Sequence, residues 1–276
     1  MKKLGLVLAA SALVLAACGG GEESDSAGTT EEASKDIKLG ATAGPYSDML
    51  SKAIVPSLEE KGYTVELVEF SDYIQPNVAL DGGDIDANLF QHTIYLENFE
   101  QENGMDLSAL ITVPTAPMGI YSNQFDSLEA VEDGATIAIP NDPVNGARAL
   151  LMLQDQGLVE LDPEAEVLQA SERDVVTNTK NLEFQPIEAG QLPRAVDGSD
   201  LAAVPGNFAI AADMDLLDAL ALENMPDQYR NVVAVNAENE ESELAQDLVE
   251  IVESEEFEAV IDAEFEGFGK PEWMAE

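Results

Sequence analysis

The chain has 276 residues and a formal net charge of −43, with 12 lysines and arginines against 55 acidic residues. Nucleic acid is excluded as a partner, because binding it requires a positive surface. We interpret the acidity as an adaptation to a saline setting, where salt screens self-repulsion, and the single cysteine excludes an intrachain disulfide.

The amino-terminal region carries signals for export and attachment. Lys2 and Lys3 precede an apolar run that is too short to span a bilayer, which predicts a signal peptide over residues 1–17. The run ends in LAAC, a pattern typical of a bacterial lipobox, in which Cys18 is lipidated. Residues 18–36 have no large apolar side chain before Ile37, which predicts a flexible tether. We therefore expect a protein anchored by lipid on the extracytoplasmic face of the cell membrane.

Beyond the tether, strand and helix patterns alternate. They predict strands over 37–41, 63–70 and 85–90, and helices over 47–62, 72–83 and 92–104. This order predicts an α/β fold with a mostly parallel sheet covered by helices. In such sheets ligands bind beyond the carboxyl ends of the strands, where the segment 83–96 turns.

A second alternating unit follows Ala116. The segment 136–157 predicts a strand, a proline-containing turn and a helix that ends at Gly157, and a later strand in YRNVVAVNAEN returns the chain to the first unit. The acidic stretch 238–266 predicts one or two amphipathic helices. We therefore predict two lobes joined by two strands around a ligand cleft, with lobe I over 37–116 plus 234–276 and lobe II over 117–233.

The segment GDIDANLFQHTIYL, residues 83–96, concentrates aromatic residues in an otherwise acidic and aliphatic chain. It holds Phe90, the only histidine (His92) and Tyr95, and Tyr73 lies upstream in FSDYIQPN. Aromatic rings suit a polarisable ligand group, since a thioether gains about 0.3–1.5 kcal/mol per ring contact. These rings predict a small-ligand pocket, and the alternative interpretation is that they are ordinary core.

The segment PNDPVNGAR, residues 140–148, predicts a helix start that favours an anion. Asn141 or Asp142 can cap the helix, and Pro143 suits its first turn. Arg148 adds a guanidinium that can hold a carboxylate through two hydrogen bonds. The alternative interpretation is that Arg148 pairs with a structural acid.

Signals for catalysis or for a metal are poor. One histidine cannot build a multi-histidine zinc site, and the sequence has no GxSxG, P-loop or GxGxxG motif. Asp84, Asp86 and Asn88 resemble the start of a calcium loop. That loop requires glycine where Leu89 stands and a bidentate glutamate where Tyr95 stands. We therefore predict no metal, no cofactor and no enzymatic activity.

Several of these stretches together resemble the methionine-binding lipoproteins of bacterial ABC importers, the NlpA family. The resemblance rests on FSDYIQPN, DANLFQH followed by Tyr95, PNDPVNGARALLMLQ, EAGQLPRA and YRNVVAV, and it extends from about Ile37 to Trp273 behind a matching lipobox. It implies a type II periplasmic-binding-protein fold that binds L-methionine or a close relative between its lobes. It also implies delivery of the ligand to an ABC permease with its ATPase, and we expect a monomer.

The resemblance also implies roles for individual residues. A thioether pocket would be formed by Tyr73, Phe90, His92 and Tyr95. Arg148 would hold the carboxylate with Asn145 beside it, and Asn231 would help to bind the amino group.

One segment departs from the family. The family carries an asparagine in a VINxN(Y/F)A-like segment, whereas this chain has AVPGNFA, one residue shorter, with Pro205 or Gly206 at that position. Either Asn207 compensates or amino-group recognition differs, so a Gly-Met-type dipeptide or another apolar amino acid remains an alternative ligand. The alternative functions are a secreted hydrolase or lyase that uses His92 with Asp86 or Asp84, and a surface adhesion protein.

Overall fold

The computed structural model describes residues 35–274. The predicted signal peptide, Cys18 and the predicted tether as far as residue 34 lie outside the described residues. The last two residues of the predicted tether, Lys35 and Asp36, belong to a strand, because they pair with Tyr63 and Thr64 of the neighbouring strand.

The described residues form two five-stranded sheets and one two-stranded sheet. In chain order the strands are β1 (Lys35–Thr42), β2 (Tyr63–Phe70), β3 (Ala87–His92), β4 (Leu107–Thr112), β5 (Gly119–Tyr121), β6 (Thr136–Pro140), β7 (Val159–Leu161), β8 (Val175–Asn178), β9 (Glu183–Ile187), β10 (Leu201–Val204), β11 (Ala221–Leu222) and β12 (Asn231–Asn236). The α-helices are α1 (Pro45–Met49), α2 (Val55–Glu60), α3 (Gln75–Asp81), α4 (Thr93–Asn103), α5 (Pro143–Asp155), α6 (Leu192–Ala195), α7 (Gly206–Ala211), α8 (Glu243–Val252) and α9 (Glu255–Glu264).

The first sheet has the strand order β2-β1-β3-β12-β4. Strand β1 is parallel to β2 and β3, whereas β12 runs antiparallel to β3 and β4. The sheet is therefore mixed rather than mostly parallel, because the strand that returns from the second unit enters in the reverse direction. The carboxyl end of β3 leads at His92 directly into α4.

The second sheet has the order β11-β5-β10-β6-β9. Strand β6 is parallel to β9 and β10, and β5 is antiparallel to β10 and β11. The carboxyl end of β6 leads through Asn141 into α5, whose first turn Asp142 caps by accepting a hydrogen bond from the Asn145 N–H. In both sheets, therefore, a strand with a parallel neighbour, β3 or β6, leads directly into a helix.

The chain crosses between the sheets twice, through residues 113–118 and 223–230. The Val113 N–H donates to the Asn231 carbonyl at 2.7 Å, and Thr115 pairs with Gly269, so the first crossing is held against the first sheet. Strand β12 lies wholly in the first sheet, whereas the predicted lobe boundary fell inside it after Val233. We call residues 35–112 plus 231–274 the first lobe and residues 119–222 the second lobe.

Each lobe has its own core. In the first lobe, apolar side chains of β1 and β3 pack against α1, α8 and α9. In the second lobe, Ile137 and Ile139 of β6 pack against Leu150 and Leu153 of α5. Fully burying one such side chain stabilises the fold by about 1.5–3 kcal/mol. Each lobe is therefore stabilised by a core of its own.

The acidic stretch near the carboxyl terminus forms two helices, α8 and α9. Ser242 and Ser254 cap them by accepting hydrogen bonds from backbone N–H groups one turn later. Their apolar residues face the first core, and their acidic faces pair with lysines such as Lys61, whose Nζ lies 2.8 Å from Glu250. Between residues 35 and 274, no helix has the length and apolar character needed to cross a membrane.

Candidate ligand-binding site

A cavity lies between the two lobes, at the carboxyl end of β3. Its walls come from β3 and α4 in the first lobe and from the starts of α5 and α7 in the second. The eight side chains that the sequence singled out for ligand binding all line it: Tyr73, Phe90, His92, Tyr95, Asn145, Arg148, Asn207 and Asn231. The fold therefore brings these residues together from separate segments of the chain.

The cavity is narrow. The space between its lining side chains is about 320 Å³, part of which is open to solvent, and little of it is wide enough to admit a water molecule. Binding pockets for small molecules start at roughly 300 Å³. A ligand of amino-acid size can therefore enter only if the two walls separate.

Three aromatic rings form the wall on the first lobe. The ring centroids of Tyr73, Phe90 and Tyr95 lie between 5.8 and 6.2 Å apart, in the tilted and edge-on arrangements that aromatic pairs prefer. Tyr95 Oη donates to the Tyr73 carbonyl at 3.0 Å and fixes the loop before α3 against α4. The wall can surround an apolar group with ring faces and edges.

A directional chain of hydrogen bonds crosses the cleft. The Tyr95 N–H donates to His92 Nδ1 at 3.2 Å, so the ring proton lies on Nε2, which donates to Asn145 Oδ1 at 3.2 Å. Asn145 Nδ2 donates to the two carboxylate oxygens of Asp142 at 3.1 and 3.2 Å. Because a carboxylate only accepts, this chain fixes the amide of Asn145 with its oxygen towards His92.

Burial keeps His92 neutral. Desolvation lowers the pKa of His92 to about 3, the positive charge of Arg148 acts in the same direction, and the hydrogen bond with Asn145 opposes both. Burial also raises the pKa of Asp142, although its hydrogen bonds from Asn145 oppose the shift. At neutral pH His92 is therefore a hydrogen-bond donor to the second lobe and a very weak base.

Arg148 is already paired with Glu223, the first residue of the second crossing. Its Nε donates to Glu223 Oε1 at 2.7 Å and its Nη2 to Oε2 at 2.6 Å, and both side chains are 6% exposed. Burial opposes the charge of Arg148, but the charge and hydrogen bonds of Glu223 outweigh it and raise the pKa of the guanidinium. Among the described residues Nη1 has no hydrogen-bond partner, and Arg148 lines the cavity. The guanidinium of Arg148 thus pairs with a structural acid and also lines the cavity.

Asn207 and Asn231 differ in their partners. Asn207 Oδ1 accepts from Tyr73 Oη at 2.6 Å, and its Nδ2 donates to Thr42 Oγ1 at 3.4 Å, so this amide connects the second lobe to the first. Asn231 is buried, and its backbone N–H donates to Thr115 Oγ1 at 2.7 Å. Its side-chain amide makes no hydrogen bond within residues 35–274 and lines the cavity.

The departing segment AVPGNFA places the start of α7 against the first crossing between the lobes. A Cβ on Gly206 would lie 2.4 Å from the Pro117 carbonyl oxygen and 2.7 Å from Ala116 Cβ, closer than real contacts allow. Only glycine therefore permits this approach. Gly206 and Pro205 line the cavity and offer it no side-chain hydrogen bond, so Asn207 is the polar side chain of this wall.

The sequence did not identify several residues of the site. Glu223 is one of 55 acidic residues, and nothing in its spacing relates it to Arg148. Tyr46 lines the cavity, and burial raises its pKa to about 12. Gln91 also lines the cavity and exchanges two hydrogen bonds with Asn77 at 2.6 and 2.7 Å. Of these residues, only Gln91 had a signal in the sequence, because it is a polar residue directly after Phe90. The strand that contains it is fully buried.

The carboxylates of the DIDAN segment lie away from the cavity. Asp86 accepts the Lys38 N–H at 2.7 Å just before β3, and His92 is the last residue of that strand. The extended chain between them spans about 20 Å, so Asp84 and Asp86 cannot act together with His92 as the hydrolase alternative required. Across residues 35–274, no group of three or more histidine, cysteine or acidic side chains is arranged to hold a metal.

Known proteins resemble this chain along most of its length. The model of the NlpA lipoprotein family matches residues 37–273. The probable D-methionine-binding lipoprotein MetQ of Vibrio cholerae is 35% identical over 275 residues, 98% of this chain and 97% of that relative. The D-methionine-binding lipoprotein MetQ of Escherichia coli is 34% identical over 249 residues, 89% of this chain and 92% of that relative.

A solved structure extends the comparison to three dimensions. A nutrient binding protein from Burkholderia cenocepacia, bound to methionine, is 38% identical and superposes with a TM-score of 0.79, covering 84% of this chain and 97% of that protein. This similarity confirms the predicted α/β fold with two lobes.

Proposed function

Because the chain belongs to the NlpA lipoprotein family, we propose that it is the substrate-binding lipoprotein of an ABC importer and that it binds methionine between its lobes. The observation that carries the proposal is the cavity itself, in which an aromatic wall on the first lobe faces a buried arginine on the second. An amino acid with a thioether side chain matches both ends. The names of the relatives and the methionine in the Burkholderia protein support this choice of ligand.

In the proposed complex the thioether lies against the rings of Tyr73, Phe90, His92 and Tyr95. Each sulfur–ring contact contributes about 0.3–1.5 kcal/mol. The carboxylate accepts from Arg148 Nη1, on the side of the guanidinium that Glu223 leaves open. Hydrogen bonds to charged groups contribute about 1.5–3 kcal/mol each, so the arginine fixes the orientation of the ligand.

The amino group lies beside the oxygens of Asn231 and Asn145. The family resemblance implies that Asn145 lies beside the carboxylate, but its Nδ2 is engaged by Asp142, so Asn145 offers an acceptor that suits an ammonium group. Asn207 uses its oxygen for Tyr73 and contributes mainly to holding the lobes together. The proposed function of the AVPGNFA segment is therefore closure of the cleft rather than direct recognition of the amino group.

The names of the relatives and the methionine in the Burkholderia protein favour a single amino acid over a Gly-Met-type dipeptide. We assign no catalytic role. The relatives are named as binding proteins, and His92 is a weak base without a nearby ionised partner of its own lobe. The adhesion alternative is disfavoured because it leaves the buried and polar lining of the cavity without a purpose.

The proposed partners are the permease and ATPase subunits of the importer, with the protein acting as a monomer that is anchored through Cys18 on the outer face of the membrane. The sequence pattern LAAC supports this anchoring. In cells, Cys18→Ala should move the protein from the membrane fraction to the soluble exported fraction. Retention of the variant in the membrane fraction would contradict lipid attachment at this residue.

The function is tested by identifying the natural ligand. The purified protein without its lipid is denatured, the released small molecules are identified by mass spectrometry, and the refolded protein is titrated calorimetrically with L-methionine, D-methionine and Gly-Met. We expect methionine to be recovered and to bind with micromolar to nanomolar affinity, about −8 to −12 kcal/mol. Failure of both methionine isomers to bind, with a different compound recovered, would overturn the proposed ligand.

A further inference from the structure

The pairing of Arg148 with Glu223 changes the charge of the proposed site before any ligand arrives. The guanidinium and the carboxylate share two hydrogen bonds of 2.7 and 2.6 Å, and the Met118 N–H donates to the same Glu223 carboxylate at 3.1 Å. Glu223 is therefore held in place by the backbone of the first crossing, at Met118. Arg148 is the one side chain with a full charge in the cavity lining, since His92 is neutral.

The charges behind the cavity walls include more acidic than basic groups. Arg230 lies 3.7 Å from Asp227 on the crossing between the lobes, and Asp142 lies behind Asn145. The two arginines thus face two acids in addition to Asp142, and the surroundings of the cavity carry no excess positive charge. A carboxylate alone would bring an uncompensated negative charge into a buried site, which is strongly unfavourable.

We propose that Glu223 determines the charge class of the ligand: by neutralising Arg148 in advance, it makes the cavity select zwitterions without net charge over anions that have the same side chain. This inference rests on the proposed function and names a specificity-determining residue for it. Glu223 acts through Arg148 and is a positioning residue, because it does not line the cavity. Its charge lies on the opposite edge of the guanidinium from the ligand.

The first test uses the unmodified protein and three probes that share one side chain. L-methionine has no net charge, 4-(methylthio)butanoate lacks the amino group and is an anion, and L-methioninamide lacks the carboxylate and is a cation. We expect L-methionine to bind at least about 100-fold more tightly than either charged probe, which corresponds to about 2.7 kcal/mol. Binding of the anion within tenfold of methionine would overturn the proposal.

The second test removes the charge of Glu223. In Glu223→Gln, affinity for 4-(methylthio)butanoate should rise at least about tenfold, and the preference for methionine over this anion should fall by at least the same factor, because Arg148 is no longer neutralised. Glu223→Asp keeps the charge and should keep the preference near that of the unmodified protein. A purely structural role for Glu223 would instead weaken both ligands together and leave their ratio unchanged.

Glu258→Gln is the matched control, since Glu258 pairs with Lys270 at 2.9 Å on the surface of the first lobe. It removes one negative charge from the same chain and should leave the ratio unchanged. If Glu223→Gln binds methionine and the ratio of its affinities for methionine and the anion is unchanged, this inference alone is overturned. If the unmodified protein does not bind methionine, the proposed function is overturned. If Glu223→Gln does not fold, binding of the anion within tenfold of methionine by the unmodified protein still overturns the proposal.

Discussion

Tyr73 Oη donates a hydrogen bond of 2.6 Å to Asn207 Oδ1, which joins the first lobe to the second. The Tyr73 ring also lies 4.9 Å, centroid to centroid, from the ring of Phe208 on α7. A residue of the aromatic wall is therefore also a contact between the lobes. In the proposed complex, closure of the cleft and recognition of the ligand's side chain depend on the same ring.

This dual contact predicts the effect of Tyr73→Phe. The variant keeps the ring but leaves Asn207 with an unsatisfied oxygen, so methionine affinity should fall about 5- to 10-fold, as expected for about 1–1.5 kcal/mol. Tyr63→Phe is the matched control, because it removes a hydrogen bond of 2.7 Å to Asp247 within the first lobe. Calorimetry should show weaker binding only for Tyr73→Phe, and equal affinities in the two variants would contradict the role of Tyr73.

The buried pair of Arg148 and Glu223 predicts non-additive effects on stability. Arg148→Met leaves the Glu223 carboxylate buried and unpaired, so the free energy of unfolding should fall by about 3–5 kcal/mol. The double variant Arg148→Met with Glu223→Met should recover most of this loss, since replacing both charges by apolar groups is often neutral. Urea denaturation measures the stability and calorimetry the binding.

Neither of these variants should bind methionine, because both lack the guanidinium. A double variant as unstable as the single one would show that the charge of Glu223 is not what destabilises Arg148→Met. Retained methionine affinity in the double variant would contradict the placement of the ligand carboxylate on Arg148.

Neutral His92 predicts a loss of stability in acid. The pKa of His92 is about 3 in the folded protein, below the value of about 6.5 expected in the unfolded chain. Between these values the unfolded state binds the proton more strongly, so the contribution of His92 is complete above pH 6.5 and falls by up to about 1.4 kcal/mol per pH unit as the pH drops towards 3.

The variant His92→Asn isolates this effect, since it keeps a helix-capping acceptor for the Tyr95 N–H but does not titrate. The difference in unfolding free energy between the unmodified protein and the variant should shrink by about 2–3 kcal/mol from pH 6.5 to pH 4.5. Urea denaturation at several pH values provides the comparison. A difference that stays constant with pH would show that His92 is not kept neutral by the fold.

Gly206 predicts sensitivity to a single methyl group. Gly206→Ala would place a Cβ 2.4 Å from the Pro117 carbonyl oxygen and force α7 away from the crossing between the lobes. We expect a loss of about 1–3 kcal/mol in stability and weaker methionine binding. Gly198→Ala is the control, because its nearest neighbour would be the Ala195 carbonyl at 3.9 Å, and thermal unfolding should be unaffected there. Similar unfolding temperatures for both variants would contradict the close approach.

Much of the first lobe was predictable from local sequence. The alternation of apolar and polar residues in YTVELVEF predicts a strand, and β2 follows it closely. The glycines at positions 62 and 104 predict helix ends, and α4 ends at the second of them. Such signals depend only on neighbours along the chain. The predicted helix over 47–62 is interrupted by a π-helical turn at Leu50–Ile54, just before Pro56, whose missing N–H cannot complete the regular pattern. The antiparallel entry of β12 was missed because strand direction depends on the route through the second lobe.

The candidate site was predictable where residue types are rare. Arginine, histidine and tyrosine are scarce in this chain, so Arg148, His92 and Tyr95 stand out. Glu223 does not, because acids are abundant and its contact with Arg148 joins residues 75 positions apart. The orientation of the Asn145 amide was likewise beyond local patterns, since it depends on a histidine of the other lobe.

The position of β12 has a consequence for how the chain folds. This strand, formed by residues 231–236, lies between β3 and β4, and β4 has no other partner in its sheet. Because synthesis begins at the amino terminus, the first lobe cannot complete its sheet until the whole second lobe has been synthesised. A polypeptide that ends before residue 231 leaves an open sheet edge and lacks the part of the first core that β12, α8 and α9 supply. The order of the strands thus delays native structure until synthesis is nearly finished.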